Sequence, residues 1–102
     1  MHTYLSTDWL EVGEGFSTMV KVVLTNESEA YLISVTNVNG KPEAELFKLD
    51  GKYLYDNRED FFNAVMDAWG EAEKLDIEKA FEMGILTKGE LREVFLSLLL
   101  IA

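Results

Sequence analysis

Carboxylates are the side chains with which this sequence could do chemistry. Nineteen aspartates and glutamates stand against nine lysines and arginines, a formal net charge of −10. They recur along one stretch as Asp60, Asp67, Glu71, Glu73, Glu78 and Glu82. Paired acids act as general acid and base only when held in reach of a reacting group, and among so many acids close pairs arise by chance. The only histidine, His2, sits beside a terminus, where nothing holds it rigidly for a Ser-His-Asp arrangement. With no cysteine there is no thiolate nucleophile, thiolate zinc site or disulfide. The expectation is a protein that is not an enzyme, with no catalytic residue, no metal and no cofactor. Carboxylates can still recognise: a row of them stands in for phosphates before a basic protein surface and steers encounter with it. The plainer role for the same charge is solubility. Direct binding to nucleic acid or to an anionic membrane requires a cationic face and is not expected.

Those acids need elements to position them. At about 100° per residue, residues 56–74 read as one amphipathic helix. Phe61, Phe62, Val65, Met66, Ala68, Trp69 and Ala72 crowd one side, while Asp60, Asn63, Asp67, Gly70, Glu71 and Lys74 take the other. Asp56 suits the N-cap, and Glu59 can reach back to it. Glu78 and Glu82, spaced i,i+4, repel one another. A surface selected for stability alone would intersperse more lysine, so the like charges suggest recognition.

The apolar stripe needs a sheet, and the sequence before it supplies strands. Residues 16–25 alternate, with Phe16, Thr18, Val20, Val22 and Leu24 on one face, and residues 26–29 form a polar loop. Residues 30–38 are a second β-branched run. Asn39-Gly40 and Asp50-Gly51 are pairs that supply positive φ at both central positions of a type I′ turn. They set a register in which Ile33 faces Leu46, Val35 faces Ala44, Leu46 also faces Tyr55, and Lys48 faces Tyr53. One face then carries Tyr31, Ile33, Val35, Ala44, Leu46, Tyr53 and Tyr55, and the long helix is expected to lie across it. Pro42 suits only an edge or a strand start. Residues 1–15 fit neither period, but Trp9 is expected to pack on the body of the domain. Gly13-Glu14-Gly15 precedes a strand and brings a carboxylate where a nucleotide's phosphate would sit, so it is not a nucleotide loop.

Two more helical pieces follow. Asp76 caps a short one through Met83, with Ile77, Ala80 and Phe81 inward and Gly84 just past its end. Thr87 and Glu90 form a capping box for the last, with Leu91, Val94, Phe95 and Leu98 on one stripe. Its final turn is apolar nearly all round, so Leu96, Leu99, Leu100 and Ile101 are a candidate homodimer contact. Residues 84–91 resemble the second half of an EF-hand calcium loop: glycine at loop position six, an apolar residue at eight, glutamate at twelve. The ligand positions one, three and five fall on Lys79, Phe81 and Met83, which cannot offer oxygen to a hard cation. The same corner could suggest a DNA-reading helix–turn–helix. Its exposed Lys88, Glu90, Arg92 and Glu93 mix charge where a cationic face is required.

At 102 residues, 48% hydrophobic and 12% aromatic, the chain is long and apolar enough to fold as one domain. The longest apolar run, 95–102 interrupted by Ser97, falls short of the roughly 20 residues a spanning helix needs. With no basic, apolar leader at the start, a soluble, cytoplasmic protein is expected. The predicted architecture is a single α+β domain over residues 1–102. It has an antiparallel three- to four-stranded β-meander, a long amphipathic helix on one face and two shorter C-terminal helices. The expected function is that of a small acidic binding or inhibitor protein occupying a basic, nucleic-acid-binding surface of a partner. Inhibitors that phages encode against host defence nucleases share this size and charge, as a compositional analogy. The alternative is an assembly protein that forms a homodimer through its last helix.

Overall fold

The computed structural model describes residues 5–6, 9–12, 18–24, 29–49 and 58–101, with side chains throughout except at 5, 6, 58–62, 65, 100 and 101. The elements run β1 (Leu5–Ser6), β2 (Leu10–Val12), β3 (Thr18–Leu24), β4 (Ala30–Val38), β5 (Lys41–Leu49), α1 (Arg58–Trp69), β6 (Glu73–Leu75), α2 (Glu78–Glu82) and α3 (Lys88–Ile101). The fold is α+β, and its strand pairings are antiparallel. The sheet order is β1-β3-β4-β5-β6, and β2 shares with β1 the edge of β3 that β4 leaves free. The sheet is thus five strands wide, broader than the predicted three or four.

The Asn39-Gly40 turn sets the central register. Asn39 has φ 52° and Gly40 φ 83°, both left-handed as a type I′ turn requires, and the Gly40 amide donates to Asn37 Oδ1 at 2.9 Å. Val38 then pairs with Lys41, Val35 with Ala44 and Ile33 with Leu46, as the turn chemistry predicts. In a two-residue hairpin the residues flanking the turn exchange both hydrogen bonds, so at the next pair, Asn37 with Pro42, the backbone nitrogens point outward. Pro42's missing donor therefore faces the open edge of β5, because β6 pairs only with Leu46, Phe47 and Lys48.

Both faces of the sheet are covered. In β4 every residue from Ala30 to Val35 is buried, with Leu32 and Ile33 wholly enclosed on opposite sides. On the Leu32 face, Val20, Val22, Ala30 and Leu49 form a core against Ala64, Ala68, Trp69 and Ala72 at and just after α1. Trp69 meets Phe47 edge-on, ring centres 5.9 Å apart. On the Ile33 face, Val23, Tyr31 and Leu46 pack with Ala80, Ile85 and Leu86, while Met19 and Val35 pack with Val94 and Leu98.

This arrangement corrects the predicted placement of the helix. α1 lies on the Leu32 face, and α2 and α3 take the Ile33 face. The reason lies in β3, whose Val20 and Val22 turn to the Leu32 face while Lys21, opposite Ile33, turns to the other. With Ala30, Leu32, Phe47 and Leu49, the two valines give the Leu32 face an apolar patch of its own, and α1 covers it. α1 is also shorter than predicted, and α3, with 14 residues, is the longest helix described. The chain leaves α1 through tightened turns, Glu71 N to Ala68 O and Ala72 N to Trp69 O. Residues 73–75 then form β6, which occupies the edge of β5 predicted for Tyr53 and Tyr55. Leu75 pairs with Leu46 and Glu73 with Lys48. Asp50-Gly51, those two tyrosines, the Asp56 cap, Gly13-Glu14-Gly15 and His2 lie outside the described residues.

The C-terminal corner follows its sequence signals. Asp76 Oδ1 accepts from the Glu78 amide at 3.0 Å. Gly84, at φ 76°, closes α2 with Gly84 N bonded to Phe81 O and Ile85 N to Ala80 O, a Schellman pattern. Thr87 Oγ1 accepts from the Glu90 amide at 3.0 Å and starts α3.

Candidate functional site

The path from α1 through β6 to α2 carries the chain from one face of the sheet, around its edge, to the other. Asp67 stands on α1, Glu71 in the turn after it, Glu73 on β6, and Glu78 and Glu82 on α2, all exposed. The sequence pattern placed Asp67, Glu71 and Glu73 on one helix, whereas they stand on α1, a turn and β6 and form a rim around the β6 edge. Asp60 lies in α1, and its side chain is outside those described. Between positions 67 and 82 the chain has six carboxylates, Asp76 included, against Lys74 and Lys79. Lys74 is engaged by Glu45 at 2.9 Å, which removes one of the two cations from the rim's balance. No group of three or more acids, histidines or cysteines able to hold a metal ion occurs among the described residues.

The predicted dimer stripe falls on the outer side of α3. Leu96 is 51% exposed and Leu99 41%, whereas Leu98 between them is buried against Met19 and Val35. Leu100 and Ile101 continue the helix, their side chains outside those described. No helix among the described residues is long and apolar enough to cross a membrane.

A second constellation lies toward the opposite edge. Leu10 pairs with Val20, so Trp9, one residue earlier, comes beside Lys21 on the Ile33 face. The Lys21 ammonium lies 5.8 Å from the centre of the Trp9 ring and 2.6 Å from Glu90 Oε2. The same oxygen accepts from Trp9 Nε1 at 3.1 Å. The lysine side chain is 13% exposed and the glutamate 28%, so each is largely removed from water and is compensated by the other. Glu90 thus begins α3 through its amide but directs its carboxylate across to β2 and β3, rather than back to Thr87 or outward to solvent. It is the pin that fixes α3 and Trp9 to the sheet. Beside it opens a groove of about 250 Å³, lined by Trp9, Met19, Glu90, Glu93, Val94 and Ser97.

Trp9 was expected to pack on the body of the domain, and it does. Lys21 and the reach of Glu90 were not foreseen. One signal could have found them: a lone lysine inside Val20-Lys21-Val22-Val23 must meet an acid if both faces of that strand are covered. Comparison with protein-family models, curated proteins and solved structures gives no match to this chain.

Proposed function

We propose that this chain is a small non-enzymatic binding protein whose acidic rim occupies a basic surface of a partner protein, its carboxylates taking the places of phosphates in a nucleic-acid-binding groove. The carrying observation is the exposure of Asp67, Glu71, Glu73, Glu78 and Glu82 along a segment that wraps one sheet edge. Exposed like charges contribute little to a fold and repel one another, but they accelerate and orient association with an oppositely charged surface. Inhibitors that phages encode against defence nucleases share the chain's size and charge, as a compositional analogy. The test is competition. A basic nucleic-acid-binding protein captured by this chain should release a fluorescent DNA duplex as the chain is added, and Asp67→Lys with Glu71→Lys should abolish the release. Capture that leaves the duplex in place would overturn the mimicry.

A second reading is favoured by the exposure of Leu96 and Leu99 one turn apart on α3. The chain would then associate as a homodimer through this stripe, with Leu100 and Ile101 extending it. Sedimentation at micromolar concentration should show a dimer that Leu96→Glu with Leu99→Glu converts to monomer. A wild-type monomer sinks this reading, and it leaves the first intact.

A further inference from the structure

We infer that the groove between β2 and α3 is an anchor site for a single lysine side chain presented by a polypeptide. It lies toward the sheet edge away from the acidic rim and does not depend on the function proposed for that rim. At about 250 Å³ it is below the roughly 300–1,000 Å³ typical of small-molecule and cofactor pockets. A space of this size suits one long side chain. Trp9, Met19 and Val94 supply an apolar wall for an aliphatic stem, with methionine able to adjust to its shape.

Charge selects the head group. Glu90 is already balanced by Lys21, but the exposed Glu93 at the same groove has no ion-pair partner among the described residues. Among the described residues the groove therefore retains one uncompensated carboxylate beside an indole, with the Ser97 side chain at its margin. The molecule displays the same recognition internally, where an alkylammonium, that of Lys21, is held by a carboxylate and the Trp9 ring. Because the groove is open to solvent, a free amine would gain little there. A tethered side chain brings neighbouring contacts with it, and this argues for a polypeptide occupant.

The experiment is an amide-correlation NMR titration of the full chain with the blocked tripeptide Gly-Lys-Gly. The Trp9 indole N–H and the amides from Glu93 to Ser97 should shift saturably, with a dissociation constant on the order of 10 mM, the scale of one surface ion pair with a stem contact. Glu93→Gln should weaken binding about threefold to fivefold without altering the rest of the spectrum. The rim variant Asp67→Lys with Glu71→Lys should bind the peptide as wild type does, so the outcome is read separately from the proposed rim function. Equal shifts with the norleucine tripeptide, which lacks the charge, overturn the inference, as does insensitivity to Glu93→Gln. Pentylamine binding more tightly than the peptide overturns the choice of a polypeptide occupant.

Discussion

The two sides of this sheet use the same functional group in opposite ways. Around β6, Asp67, Glu71, Glu73, Glu78 and Glu82 face water. Toward β2, Glu90 is mostly withdrawn from it and serves Lys21 and Trp9 together. A buried carboxylate bonded to two donors fixes the position of a helix. An exposed row leaves its charge available to another molecule. Carboxylate count therefore says nothing about role until burial and partners are known: one side ties a helix to the sheet, and the other carries the recognition proposed above.

The sharpest way to break this comparison is Glu90→Ala. It leaves the largely buried Lys21 ammonium without its carboxylate and removes the acceptor of Trp9 Nε1, so urea unfolding should show a loss of about 2–4 kcal/mol. Lys21→Met combined with Glu90→Leu should cost less than the two single changes added together, because neither leaves a buried charge alone. A loss under half a kcal/mol for Glu90→Ala would mean that the pin does not hold α3. A smaller effect, about 1 kcal/mol, is expected for Gly84→Ala, since an L side chain at φ 76° strains the corner that delivers α3 to the sheet. The smallest belongs to the rim. Asp67→Lys with Glu71→Lys should change unfolding stability by no more than about 0.5 kcal/mol, as exposed substitutions do. A large loss there would show those acids to be structural, and the contrast between the two sides would disappear.

Much of this architecture was legible where local chemistry decides it. Asn39-Gly40 fixed the β4–β5 register to the residue, and Asp76, Gly84 and Thr87 marked the boundaries of the last helices. The placement of α1 was not legible from the two hairpins alone, because part of the patch it covers, Val20 and Val22, lies on a third strand. A cue was nevertheless present. Ala30-Tyr31-Leu32-Ile33-Ser34-Val35 scarcely alternates, and an antiparallel strand apolar on both sides needs cover on both sides. That cover is α1 on one face and α2 with α3 on the other. The end of α1 was obscured because Glu71 and Lys74 fit helical spacing, while pairing of Glu73 and Leu75 with β5 depends on residues far away in sequence. For the candidate sites, the acids were visible as a run but their wrapping around an edge was not. Lys21–Glu90 joins positions 69 residues apart and leaves no spacing to read.

The central claim is that the rim acts through charge on a partner. The most direct measurement is capture of a basic nucleic-acid-binding protein by the wild-type chain and by Asp67→Lys with Glu71→Lys, across a salt series. Wild-type capture should be strong at low salt and fall steeply as salt rises, because the attraction is screened over about 10 Å at 0.1 M. The variant should bind weakly at every salt concentration, with a flattened dependence. Equal capture by the variant at low salt would contradict the account.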